Sequence, residues 1–231
     1  MKRQLPDWCA TVPVTPLVQN CSIVCCPDTG RAALVDPGGD IDRLLAAAEA
    51  RAVAIEKILV THGHFDHAGA AAELAARLGV PIEGPHRGDI VWIDRLAGYA
   101  VRAGTEHSRP FVPNRWLEDG DTVSVGAQTF QVFHCPGHTP GHVVFFHPAA
   151  RFALVGDVLF RRTIGRTDLP FGDRLTLVRS IVAKLWPLGD DVLFVPGHGP
   201  TSTFWAERRS NRDVADHVLQ ASGPLFLHDL P

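Results

Sequence analysis

The chain has 231 residues, 45% of them hydrophobic and 20% charged, with a formal net charge of −3. A chain of this length and balance buries a full core without covalent staples. Its slight acidity excludes the basic footprint of a protein that grips nucleic acid or an anionic membrane surface, so neither is expected as a partner. The cysteines Cys9, Cys21, Cys25, Cys26 and Cys135 are odd in number and irregular in spacing, which argues against a disulfide framework. No apolar run reaches the ~20 residues of a bilayer span. The charged N-terminal residues lead into no apolar signal-peptide core, and a cytoplasmic location is expected.

Residues 1–13, a mixture of apolar and polar residues with Pro6 and Pro13, are expected to wrap over the surface. Residues 17–25 and 32–35 read as strands joined by the turn Asp28-Thr29-Gly30. Asp36-Pro37-Gly38-Gly39 ends the second, and Asp40 stands where a helix over 41–51 needs its cap. A short buried strand at 58–60, a helix over 69–78 and a strand starting at Val80-Pro81-Ile82 follow. Ile90, Ile93, Leu96 and Val101 predict a helix over 89–104, with loop from 105 to 113. Strands are expected at 122–125, 129–133, 143–146 and 152–155. Asp173 can cap a helix whose face is Leu175, Val178, Ile181, Val182 and Leu185. A strand at 192–195 and a helix over 204–219 complete the series. Strands then helices, twice over, predict two sheets packed face to face with helices outside.

The chemistry concentrates in turns that follow these apolar runs. After Ile58-Leu59-Val60 comes His62-Gly63-His64-Phe65-Asp66-His67. Three imidazoles and a carboxylate in one turn would be repulsive and poorly solvated without a cation. Imidazole and carboxylate suit zinc, iron and manganese. His138 sits in Pro136-Gly137-His138-Thr139-Pro140-Gly141, Asp157 follows Leu154-Val155-Gly156, and His198 follows Val195-Pro196-Gly197. Strand ends are where open α/β sheets place their chemistry, and glycine lets the backbone approach an ion closely. His62, His64, Asp66, His67, His138, Asp157 and His198 are enough donors for two divalent ions sharing one carboxylate.

This series, His-x-His-x-Asp-His and then Gly-His, Gly-Asp and Gly-His-Gly, resembles the metallo-β-lactamase superfamily from about residue 15 to 200. Within it the chain is most similar to the short bacterial form of the glyoxalase II-type hydroxyacylglutathione hydrolases. The similarity rests on Val35-Asp36-Pro37-Gly38-Gly39, Thr61-His62-Gly63-His64, Cys135-Pro136-Gly137-His138-Thr139-Pro140-Gly141-His142 and Gly165-Arg166-Thr167-Asp168-Leu169-Pro170. The resemblance implies an α/β fold, a four-layer αββα sandwich. It also implies a single domain over 1–231, with a short C-terminal helical tail in place of a full glutathione-binding domain. It implies His62, His64 and His138 on a first metal, Asp66, His67 and His198 on a second, and Asp157 bridging both. Zinc is expected, with iron and manganese as alternatives. The implied reaction is hydrolysis of a small-molecule thioester such as S-lactoylglutathione to hydroxyacid and glutathione. The nucleophile is a hydroxide between the metals, with Asp66 and Asp157 as catalytic residues.

Arg166 lies where these enzymes carry a lysine on glutathione and can keep that anion-binding role. Its alternative is an ion pair with Asp168 or Asp173. Arg161 and Arg162 are near enough to add charge at the mouth, whereas Arg208, Arg209 and Arg212 read as a solvated helix face or a partial substitute for the missing domain. His134 and His142 flank the His138 turn and are placed to orient a ligand. His86, His107, His147, His217 and His228 read as surface or helix-end residues, Tyr99 as helix packing and Cys135 as a small core residue. Two other reactions compete. The persulfide dioxygenases share the histidine motif and use a single iron with oxygen, but usually carry Gly-Cys where this chain has Gly141-His142. A lactonase or β-lactamase is the other.

Overall fold

The computed structural model describes residues 4–103 and 108–221. Strands β1 (Cys9–Val14), β2 (Gln19–Cys25), β3 (Arg31–Val35), β4 (Ala54–Leu59) and β5 (Ile82–Glu83) form a five-stranded sheet in chain order. β1, β2 and β3 pair antiparallel, and β3, β4 and β5 pair parallel. The second sheet contains β6 (Thr122–Val125), β7 (Gln128–His134), β8 (Val143–His147) and β9 (Phe152–Gly156). A separate hairpin, β10 (Leu159–Phe160) with β11 (Thr163–Ile164), follows. β12 (Leu193–Pro196) and β13 (Ser202–Thr203) then complete the second sheet in the order β13-β12-β9-β8-β7-β6.

The two-residue period of a strand decides where the core sits. Phe152, Leu154, Leu193 and Val195 point between the sheets and meet Val35 and Leu59. Their neighbours Ala153, Val155 and Phe194 point outward and are covered by α6 (Arg174–Ser180) and α7 (Phe204–Ser210) through Leu177, Val178 and Phe204. On the opposite outer face α1 (Ile41–Ala50) and α3 (Ala71–Leu78) cover Leu34 and Ile58 with Leu44, Ala48 and Leu74. The molecule is therefore an αββα sandwich, as expected. Buried on both faces, these strands read as near-continuous apolar runs. Among the described residues no helix is long and apolar enough to cross a membrane.

Several elements differ from expectation. Cys9–Val14 is not a surface wrap but the edge strand of the first sheet; Cys9 and Val14 are buried, and the edge tolerates Pro13. β2 starts at Gln19 because Thr15 and Val18 adopt left-handed backbone in a turn. Asp40 does not cap α1. Its backbone is left-handed, and its carboxylate accepts the Thr15 N–H at 2.7 Å. The helix expected over 89–104 is three pieces: a turn at Arg87–Asp89, α4 (Ile90–Ile93) and α5 (Leu96–Ala103). The helix expected over 204–219 breaks at Asn211, whose backbone is extended, before a final α-helix, α8 (Asp216–Ala221).

Candidate metal centre

All seven donors lie where the parallel strands β4, β9 and β12, and the β7–β8 turn, end. A four-residue helix, α2 (Phe65–Ala68), turns Asp66 and His67 into the same pocket as His62 and His64. Two donor sets result. His62 Nε2 and His138 Nε2 stand 3.2 and 3.0 Å from His64 Nδ1. His198 Nε2 stands 3.0 Å from Asp66 Oδ2, and His67 Nε2 is 3.7 Å from the same oxygen. In each set the three donor atoms lie within 4.8 Å of one another. Asp157 spans both: Oδ1 is 3.3 Å from His67 Nε2, and Oδ2 is 3.5 Å from His138 Nε2 and 3.8 Å from His198 Nε2.

The backs of the rings fix which nitrogen faces in. His67 Nδ1–H donates to Asp36 Oδ2 at 2.9 Å, His138 Nδ1–H to the Arg166 carbonyl at 2.8 Å, and His198 Nδ1–H to the Leu17 carbonyl at 3.1 Å. Thr61 donates its hydroxyl to Asp36 Oδ2 at 2.6 Å, which leaves its oxygen to accept His62 Nδ1–H at 3.0 Å. These bonds set the tautomers that present Nε2 as a bare lone pair. His64 is reversed, with Nδ1 inward and Trp92 packed against its ring at 4.4 Å. Asp36 also lies within donor distance of His62 and His67. Its oxygens are already spent on Thr61 and His67, so it orients rather than ligates.

The donor set fits divalent ions. His67 Nε2 and Asp157 Oδ1 are buried, face each other and have no hydrogen-bond partner among the described residues. Such orphans cost about 1–3 kcal/mol each unless something satisfies them. A Cβ on Gly197 would overlap Asp157 Oδ1 and His67, and one on Gly38 would overlap the Asp66 carbonyl, so the backbone approaches this centre only as glycine. Burial, then neighbouring imidazoles, hold His62 well below the usual histidine range; burial with His138 takes His64 to about 3. Burial alone would lower His67, yet the Asp157 and Asp66 carboxylates carry it well above that range. Asp157 is held below the usual carboxylate range, against burial, by His67. His62 and His64 are thus held as the neutral imidazoles that a metal requires, and Asp157 as a carboxylate, whereas His67 gives up a proton when an ion binds.

Three supports escaped the reading of the sequence. Asp36 is one, Asp89 another. Asp89 is fully buried and accepts from Gly63 N at 2.7 Å, Thr139 Oγ1 at 2.8 Å and Gly141 N at 2.5 Å. It ties the His62–His67 turn to the His138 turn, and burial pushes its carboxyl up to about 6. Asp89→Ala orphans three buried donors, and a loss of about 3 kcal/mol or more is expected in urea unfolding. An unchanged midpoint would contradict the role. The third support is Asn211, whose amide donates to the Phe160 and Thr163 carbonyls at 3.4 and 3.0 Å.

The other candidates divide. His142 backs the centre: its Nε2 accepts the Asp157 N–H at 3.0 Å and its ring stacks on His62 at 4.6 Å. His134 does not touch a donor; it hydrogen-bonds the Pro140 carbonyl and stacks on His86, which is half-buried rather than at the surface. His147 is likewise half-buried, packed on Trp8, and His217 is exposed. His107 and His228 lie outside the described residues. Cys135 is a core residue of the outer layer, its thiol pushed up to about 12 by burial. Beside the centre opens a cavity of about 920 Å³. Tyr99 lines it with Leu17, Phe65, Trp92 and Leu96, rather than packing only within its helix. Arg166 reaches the rim, but its guanidinium is held by Asp168 at 2.8 and 2.9 Å.

The family model of the metallo-beta-lactamase superfamily matches residues 14–198. The chain belongs to that superfamily. It is 42% identical over 201 residues to the hydroxyacylglutathione hydrolase GloC of Haemophilus influenzae, covering 87% of this chain and 94% of that one. Among solved structures, TTHA1623 in a di-iron-bound form is 36% identical with a TM-score of 0.80, covering 88% of this chain and 98% of that one. The B3 metallo-beta-lactamase BLEG-1 is 32% identical with a TM-score of 0.81 and the same coverages. Family and donor clusters together establish a divalent-metal site in a metallo-hydrolase.

Proposed function

We propose that the chain hydrolyses thioesters of hydroxyacids with glutathione, S-lactoylglutathione being the type substrate, using two divalent ions. The observation that carries the reading is the pair of donor sets joined by Asp157 at the floor of an open cavity. The similarity to the Haemophilus hydrolase supports the substrate class. His62, His64 and His138 would hold one ion, Asp66, His67 and His198 the other, and Asp157 both. When bound, such ions supply Lewis acidity and lower the pKa of a shared water. Zinc is the proposed metal, with iron next; His and Asp donors suit both, and a relative has been seen with iron.

The protein's own residues do the rest. Asp36, Thr61, Leu17 and the Arg166 carbonyl keep the ring tautomers in place. Asp66 is held below the usual carboxylate range, against burial, by His67, and stays an acceptor that orients the attacking water. Leu17, Phe65, Trp92, Leu96 and Tyr99 keep bulk water from the acyl group. A thiolate, with a parent pKa near ~8.5, departs with little acid help. No side-chain nucleophile is needed, and the raised pKa of Cys135 leaves it inert. Arg166 contributes a rim cation for the substrate anion once it leaves Asp168, since an exposed pair of this kind holds by only ~1 kcal/mol or less.

The cavity is open, so selectivity for glutathione is expected to be loose. Hydrolysis of S-lactoylglutathione and of a non-glutathione thioester, followed by thiol release, is expected to differ in kcat/KM by less than about 100-fold. Activity confined to glutathione thioesters would contradict that looseness, and inactivity toward all thioesters would remove the reading.

A further inference from the structure

We infer that Arg161, at the tip of the β10–β11 hairpin, is the residue that binds a carboxylate of the thiol half of the substrate. The inference rests on the thioesterase reading above.

Among the described residues four arginines line the cavity: Arg161, Arg166, Arg174 and Arg212. Three are already matched by acids. Arg166 pairs with Asp168 at 2.8 Å, Arg174 with Asp213 at 2.9 Å, and Arg212 lies 3.6 Å from the same Asp213 while donating to Thr163 Oγ1. Arg161 is exposed and has no ion pair or hydrogen bond from its guanidinium to any described residue. Among the described residues it is the cation of this wall left for a ligand.

Its backbone is held far more firmly than an ordinary loop tip. Arg161 and Arg162 are the two turn residues between Phe160 and Thr163, which pair across the hairpin, and Arg162 is left-handed. Arg162 N–H donates to Glu207 Oε2 at 2.7 Å, and the buried Asn211 amide donates to the carbonyls that flank the turn. Glu207 and Asn211 also bond each other at 2.9 Å, so α7 and the residue that breaks it clamp the hairpin. Phe160, one residue before Arg161, packs edge-on to His198 at 6.2 Å. Arg161 therefore lines the same cavity as His198 and Asp66, from a turn that is held in place. A planar guanidinium on a rigid element suits bidentate carboxylate recognition. The carboxylates of glutathione are the anions such a substrate brings.

The test uses metal-loaded enzyme and the variants Arg161→Ala, Arg161→Lys and Arg166→Ala. For S-lactoylglutathione, Arg161→Ala is expected to raise KM about tenfold with kcat within about twofold, Arg161→Lys to recover only part of that because an ammonium cannot pair bidentately, and Arg166→Ala to change KM less. For S-lactoyl-N-acetylcysteamine, which has no carboxylate on its thiol half, Arg161→Ala is expected to change nothing. Equal KM in wild type and Arg161→Ala, an equal loss on both substrates, or a larger effect at Arg166 overturns the proposal. A calorimetric arm titrates S-hexylglutathione, which cannot be hydrolysed as a thioester. If the wild type binds it but hydrolyses no thioester, the hydrolase reading fails while the affinity of Arg161→Ala still decides the subsite: tenfold weaker supports it, and equal overturns it.

Discussion

Asp157→Ala is expected to lose metal and activity together, with turnover down about 10³-fold or more. Among the described residues Asp157 is the one side chain whose two oxygens face both donor sets, Oδ1 toward His67 and Oδ2 toward His138 and His198. Its backbone is fixed by its own N–H bond to His142, and no nearby acid is placed to replace it: Asp36 is committed to Thr61 and His67, Asp66 to His198. Truncation would leave five neutral or partly charged imidazoles around a gap with too little negative charge to hold two dications. Metal content by elemental analysis should fall well below the wild-type value in the same preparation that loses turnover. Circular dichroism checks that the sandwich persists. An Asp157→Ala protein that keeps two metals and its activity would remove the two-ion account.

Chelation is expected to lower the melting temperature by about 10 °C, reversibly on adding metal back. A ligand present at about 1,000 times its dissociation constant stabilises the native state by about 4 kcal/mol. For a chain of this size each kcal/mol is about 2–4 °C. The sign follows from the site. Without an ion, His67 Nε2 and Asp157 Oδ1 have no hydrogen-bond partner among the described residues, and the inward nitrogens of His62, His64 and His138 converge in a buried cluster. Ions satisfy all of these at once. An identical melting curve with and without chelator would mean that the cluster is stable by itself and that its metal is not structural.

The candidate donors were legible because each rests on a local signal: an apolar run, then a glycine turn, then His or Asp. The continuous apolar runs of β8, β9 and β12, buried on both faces, were legible for the same reason, and the layer order follows from them. What stayed hidden depends on contacts between distant segments. Asp89 opens the helix expected over 89–104, but its carboxylate is drawn off to Gly63, Thr139 and Gly141, some 26 to 52 residues away, and only the short α4 follows it. Asn211 ends α7 for a similar reason, because its amide is spent on the β10–β11 hairpin. Cys9–Val14 is an edge strand only because β2 offers its other edge, a pairing that residues 1–13 do not announce. The cavity wall built by Trp92, Leu96 and Tyr99 likewise arises from where the broken helix lands, not from the helical periodicity.

The most direct test of the central claim is metal content and turnover on one sample: elemental analysis beside thiol release from S-lactoylglutathione. The account predicts close to two divalent ions per chain, with thiol released at a rate that tracks metal content. One iron per chain, no thiol release, and oxygen uptake with glutathione persulfide would contradict it and make the protein a dioxygenase.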